Sequence, residues 1–479
     1  MGNNKDLFVF FKDLVLAKSF NKSEISMLMV YFNECGRFIE NKLNLESFIP
    51  SFNTSILLKI KQRISNYIKW KNLSLNENIK EIDCVIHVNE ISHLREMIPV
   101  YNSLKEKYKV FFISNNLNAL EFIKSKSLPY FNLYNQYTFF ENEIFYSSNS
   151  LRKGYNQAIE SIKVIDSEKS IKKFLKNKFI VYCNQNKWYT KLIKTYSFKF
   201  AFVANDLTSE GRLFTLICKK NNISTFSIQH GNIYNDWISR HHIVDTFFTH
   251  GKLASNLLKN NNHFKTNIII SGSPFVYNLM NKKDLLYSKS HQLKNKYSLP
   301  KSYILIALSG HGHITSKKNY DKCLSAINNL IDMKKSNFFV IKLHKKENIH
   351  DYDFISGKPN VKIVYEKSPI FNLEFSIFPW IINSTMLITG SSTTAIESML
   401  MGKPVISIDF NKEYSDVDFV KNGASINVNS NDDLIKSFEN IDDLQTMQID
   451  NTNNLVNNYF GNINEDSSLI IANHIASVL

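Results

Sequence analysis

A chain of 479 residues with 58 Lys and Arg against 43 Asp and Glu, a formal net charge of +15, exceeds what one hydrophobic core supports and suits two domains. Hydrophobic residues make up 43% and charged residues 21%, ordinary globular values, and no apolar run of about 18 residues is present that could span a bilayer. The charge favours anionic partners such as nucleotides, acidic glycans or a phospholipid surface, while lysines dispersed among many asparagines argue against nucleic acid.

The N-terminus, MGNNKDLFVFFKDLVLAKSF, has its apolar residues interrupted by Lys12, Asp13 and Lys18 and shows neither a small-residue cleavage site nor a myristoylation signal, so export is not expected. Five scattered cysteines, Cys35, Cys84, Cys183, Cys218 and Cys323, form no CxxC pair and fit a reduced, cytoplasmic setting. Residues 1–78 read as helical. Their sharpest pattern, Ile56, Leu57, Ile60, Ile64, Tyr67 and Ile68 with lysines and Arg63 between, makes 55–71 a basic amphipathic helix that either packs on the next domain or lies on an anionic inner-membrane surface.

From residue 79 to about 280, short apolar runs such as IDCVIHV, KVFFIS, FKFAFVAND and TNIIISGSP alternate with helical patterns, which is the signature of a parallel sheet covered on both faces. Residues 281–300 look like a linker with a helix in it. A second alternating series, SYILIALSGHGH, NFFVIKLHKK, NVKIVYE, MLITG and PVISID, occupies 301–465, and 466–479 reads as a closing helix that docks on the body. The expected architecture is α/β: two Rossmann-like doubly wound domains facing a cleft, with an N-terminal helical extension.

In such sheets ligands bind beyond the carboxyl ends of the strands. MLITG-SSTT-AIESMLMG places Ser391, Ser392, Thr393 and Thr394 between a strand and a helix, where hydroxyls, backbone N–H groups and the helix dipole converge on one anion. One hydroxyl suffices to cap a helix; four, with Glu397 one turn further on, exceed that need. Lys342 and His344 alternate onto one side at a strand end with Lys345 and Lys346 behind them, a pattern that can neutralise a phosphate and hydrogen-bond a leaving nucleotide. Gly310 and His311, in SGHGH, follow the first strand of this series and let backbone approach a ligand closely.

In the first series Asp206, Glu210 and His230 end strands and could act as general base on a substrate hydroxyl; Asp206 or Ser209 could equally cap the helix that starts near Glu210. His87, His93 and Arg95 are further acceptor-side candidates. No metal is expected: the DYD at 351–353 and DVD at 416–418 are too short to signify, and neither HExxH nor a GxxxxGK[ST] phosphate loop occurs.

The order QHG, Gly-rich loop, KLH and GSSTTAIESMLMGKPVI resembles bacterial GT-B glycosyltransferases of capsule and lipopolysaccharide synthesis, most closely those that use CMP-activated sialic acid or Kdo. Ser209-Glu210-Gly211, Leu343-His344-Lys345 and Ser391-Ser392 stand where those enzymes carry an acidic-Gly motif, an HP motif and a serine pair; the first lacks one acid and the second its proline. The resemblance implies an inverting transferase with Glu210 as base, Asp206 its rival, His344 and the serines on the donor phosphate, and Glu397 on the nucleotide ribose. It implies no metal and no cofactor beyond the nucleotide-sugar donor, and a glycan or glycolipid acceptor. A UDP-sugar transferase or epimerase, a CDP-glycerol-type polymerase, and a non-enzymatic glycan-binding protein are the alternatives on the same fold.

Overall fold

The computed structural model describes residues 27–31, 34–35, 81–132, 168–231, 233, 241–260, 265–311, 315–344, 347–365, 375 and 377–479. Apart from the short helix Met27–Val30 and residues 31, 34 and 35, the expected helical region 1–78 with its basic segment 55–71 lies outside the described residues, as do Lys345 and Lys346. The chain forms two compact units, one of residues 1–250, 254–274 and 467–479, the other of 251–253 and 275–466.

The N-terminal unit carries seven strands, β1 (Cys84–Val88), β2 (Val110–Ser114), β3 (Tyr130–Asn132), β4 (Phe200–Val203), β5 (Ser224–Ile228), β6 (Thr246–Thr249) and β7 (Asn267–Ile270). All pair in parallel in the order β3-β2-β1-β4-β5-β6-β7. Every residue of β1, β4 and β6 is buried, because helices cover both faces; this is why these strands read as unbroken apolar runs. Helix α1 (Leu94–Leu104) follows β1, α2 (Glu168–Thr195) precedes β4, and α3 (Ser209–Lys220) follows it. The closing helix Ser467–Val478 belongs to this unit and packs on α1.

The C-terminal unit repeats the plan with β8 (Tyr303–Ile306), β9 (Phe339–Lys342), β10 (Val361–Val364), β11 (Ser384–Thr389), β12 (Val405–Ile408) and β13 (Ile426–Val428), parallel in the order β10-β9-β8-β11-β12-β13. Helix α4 (Lys317–Met333) links β8 to β9, and α5 (Thr394–Leu400) links β11 to β12. The stretch 281–300, expected to be a linker with a helix in it, holds the helix Lys283–Tyr297, whose Leu286 and Leu293 join the core of the C-terminal unit and whose Ser290 donates to the Pro379 carbonyl at 2.6 Å. The main segment of the C-terminal unit begins at Phe275.

In both sheets the strand order reverses once, between β1 and β4 and between β8 and β11, and in sheets of this kind ligands bind at such switch points beyond the carboxyl ends. No helix among the described residues is long and apolar enough to cross a membrane.

Candidate functional site

At the switch point of the C-terminal unit the ends of β8 and β11 are tied together. Ala307 N–H donates to the Ile388 carbonyl at 3.1 Å, and Thr389 Oγ1 donates to the Ala307 carbonyl at 2.6 Å. Gly310, with φ of 72°, turns the chain after β8 in the left-handed region that favours glycine and leaves His311 exposed against the Tyr320 ring at 5.5 Å. Beyond β11, Gly390 accepts from Ser407 Oγ at 3.2 Å and lies over Tyr414, so close that a Cβ at 390 would stand 3.2 Å from the tyrosine hydroxyl. Tyr414 is itself fixed: its N–H donates to Asp409 at 2.6 Å and its hydroxyl meets Thr315 Oγ1 at 2.7 Å.

The hydroxyl run that follows divides its work. Ser392 Oγ accepts from Thr394 N–H at 3.3 Å and pairs with Thr394 Oγ1 at 3.1 Å, so it serves as the local cap. Thr393 already has helical backbone angles and makes no capping bond, and Ser391 is buried in the turn. Since α5 is only seven residues long, its dipole contributes modestly, and the backbone N–H groups and hydroxyls of the turn matter more. Glu397 is half-buried one turn along.

Lys342, the last residue of β9, and His344 are both half-buried at the strand end beside β8. Sequence reasoning missed what holds them. Glu347 Oε2 accepts from the His344 N–H at 2.6 Å, while Oε1 accepts from the Tyr352 hydroxyl at 2.6 Å and the Tyr320 hydroxyl at 3.1 Å. Burial raises the Glu347 carboxyl above its ordinary range, and these three donors only partly offset that. One buried carboxylate thus braces the Lys-Leu-His turn against α4. The signal was available: a Glu three residues past the His, in a loop otherwise made of lysines.

In the N-terminal unit the expected candidates separate. Asp206 is fully buried, and its two oxygens accept from His242 Nδ1 at 2.6 Å, Ile243 N–H at 2.6 Å and Val244 N–H at 3.2 Å. Burial alone would raise this carboxyl, but His242 and Arg212 outweigh it and hold the group below its ordinary value. Asp206 fastens the segment leading into β6, and Thr208 Oγ1, accepting from Gly211 N–H at 3.2 Å, caps α3; this corrects the cap reading of Asp206. Glu210, in the first turn of α3, is half-buried, accepts from Ser209 Oγ at 3.3 Å, and lies near enough to Tyr31 that its charge adds to the burial that raises that hydroxyl.

His230, after β5, stands among other rings and amides: Asn205 Nδ2 is 3.1 Å from its Nε2, the His93 ring meets it edge-on at 4.7 Å, and Arg95 donates to its carbonyl at 3.3 Å. Burial, then the charge of Arg95, push its imidazole down to about 4, so it is neutral at pH 7. With Nε2 accepting from Asn205, Nδ1 carries the proton and can donate one hydrogen bond. His87 is a packing residue, fully buried with Nε2 2.8 Å from the Tyr189 hydroxyl and stacked on Phe214. Beside this group, Ser273 Oγ donates to Glu96 at 3.0 Å and His250 Nε2 lies 3.4 Å from the same carboxylate, all buried and unforeseen from sequence because Glu96 looks like an ordinary helix-surface acid. Among the described residues no cluster of three or more His, Cys, Asp or Glu side chains suits a metal ion.

No protein-family model matches the chain, and no curated protein matches it in sequence. Solved structures do. The UDP-GlcNAc 2-epimerase of Neisseria meningitidis bound to UDP-GlcNAc aligns with a TM-score of 0.54 at 16% identity over 83% of this chain and 100% of that one. The UDP co-structure of Staphylococcus aureus MnaA aligns with a TM-score of 0.53 at 13% identity over 83% and 96%. The UDP-GlcNAc 2-epimerase of Methanocaldococcus jannaschii gives 0.54 at 16% over 83% and 100%. These likenesses define the class of fold: a two-domain α/β protein of the GT-B type.

Proposed function

We propose that the protein is an enzyme acting on a UDP-activated sugar, as a transferase or an epimerase. The observation that supports this reading is the position of Gly310, Lys342, His344, Ser391, Ser392 and Thr393 at or just beyond the carboxyl ends of three neighbouring strands, β8, β9 and β11, in the C-terminal unit. Such a set suits a diphosphate: a lysine and an imidazole neutralise charge, and hydroxyls with backbone N–H groups bind the remaining oxygens. The CMP donor implied by the sequence resemblance gives way to UDP because the shared fold is that of enzymes solved with UDP or UDP-GlcNAc.

In a transfer, the bond from the anomeric carbon to the diphosphate breaks as the acceptor oxygen attacks. Lys342 and His344 stabilise the charge gathering on the departing UDP, and Glu210 takes the acceptor proton. Glu397 holds the nucleotide ribose, and neutral His230 donates a hydrogen bond to the sugar or acceptor. The partner is therefore a nucleotide-sugar, with a glycan or glycolipid as acceptor in the transfer case. Incubation with UDP-GlcNAc, followed by proton NMR of the anomeric region, separates the two reactions: a new UDP-hexosamine signal marks epimerisation, and free UDP formed only with acceptor marks transfer. Turnover of CMP-sialic acid with UDP-sugars left intact would overturn the UDP assignment.

A further inference from the structure

We propose that the outer face of α2 docks the protein on an anionic lipid surface, an inference that stands independently of the nucleotide reading. This 28-residue helix buries Ile171, Leu175, Tyr182, Tyr189, Leu192 and Ile193 against the sheet. On its other side Lys172, Lys173, Lys176, Lys187, Lys191 and Lys194 are all exposed. At 3.6 residues per turn these six fall within an arc of about 100°. No acidic residue lies in that arc; the helix contains a single acid, Glu168, at its first position.

Ordinary solvated helix faces mix signs at i,i+4 spacing, whereas Lys172, Lys173, Lys176, Lys191 and Lys194 form no ion pair among the described residues. The lysines make two triplets on one rigid rod, about 33 Å from first to last at 1.5 Å per residue. That geometry fits a flat, extended array of negative charge rather than a single bound anion. The residues are all lysine, a hydrated point charge suited to a diffuse anionic headgroup layer, and not arginine, whose planar fork suits bidentate recognition of particular phosphates. An anionic phospholipid membrane is the occupant this charge pattern complements.

The test is co-sedimentation of the full chain with vesicles of phosphatidylcholine alone and of phosphatidylcholine with about 30 mol% phosphatidylglycerol. Wild type is expected to bind the anionic vesicles only and to lose that binding when ionic strength rises well above the physiological range, where the Debye length drops towards 3 Å. The triple variant Lys187→Gln, Lys191→Gln, Lys194→Gln, and separately Lys172→Gln, Lys173→Gln, Lys176→Gln, should each lower partitioning about 100-fold, with unchanged circular dichroism because the side chains are exposed. Undiminished binding by both triple variants would overturn the proposal. So would equal binding to neutral vesicles, or a loss of affinity for soluble dextran sulfate with none for vesicles.

Discussion

Asp206 and Glu210 stand four positions apart, both acids near the end of β4, and the fold buries the first and leaves the second half-buried. Asp206 accepts two backbone N–H bonds in the interior, so Asp206→Asn turns an acceptor into a donor against them and should cost about 3 kcal/mol of stability, read as a lower urea midpoint. Glu210→Gln should leave folding within about 0.5 kcal/mol of wild type while lowering turnover about 100-fold or more, since the proposed base is removed but little packing is lost. Near wild-type turnover in Glu210→Gln would remove Glu210 from the mechanism. Gly211, the glycine of the Ser-Glu-Gly motif, has a steric reason of its own: a Cβ there would collide with the Asn205 carbonyl oxygen, so Gly211→Ala should destabilise by about 3 kcal/mol by thermal melt. The motif was legible in the sequence; which of its neighbours was buried was not, because burial depends on the β5–β6 segment some forty residues on.

Among the elements, the loop after β9 shows how a site can be legible while its support is not. Lys342 and His344 announce themselves by alternation at a strand end, but Glu347 acts through partners contributed by α4 and the turn at Ile349–Tyr352, and no local pattern links these. Glu347→Gln keeps the volume but leaves one oxygen for three donors; it should weaken UDP binding about tenfold through a displaced His344. Calorimetric titration checks this, and a double variant with His344→Ala should show less than the sum of the single losses, since both act on one imidazole. The strand ends of the N-terminal unit carry a different liability. His87 and His250 are held down to about 3 and His230 to about 4, all mainly by burial, against an ordinary value near 6.5. Between those values the unfolded chain binds protons that the folded chain refuses, so the contribution of these rings to stability is full above about pH 6.5, falls as pH drops towards 4, and levels off below about 3. The two fully buried imidazoles alone give a slope of roughly 3 kcal/mol per pH unit, and urea titrations at stepped pH should show it; a flat profile from pH 7 to 5 would contradict the burial of these rings.

Across the whole molecule, two alternating series of apolar runs and helices sufficed to foresee two doubly wound sheets, because a parallel strand buried on both faces leaves an unmistakable mark. The packing of the 281–300 helix into the C-terminal core and the assignment of the last helix to the N-terminal unit were less legible, since long-range return of the chain leaves no local trace. The donor nucleotide is the least legible property of all: hydroxyls and N–H groups grip phosphate whatever base lies beyond it. The central claim, a UDP diphosphate on the C-terminal unit, is tested most directly by thermal unfolding with UDP, CMP, CDP, GDP and ADP in parallel, on wild type and on Lys342→Ala. A ligand at about 100 times its dissociation constant stabilises by roughly 2.7 kcal/mol, a shift of a few degrees. Selective stabilisation by UDP, lost in Lys342→Ala, is the expected result; stabilisation by CMP alone, or by no nucleotide, would contradict the account.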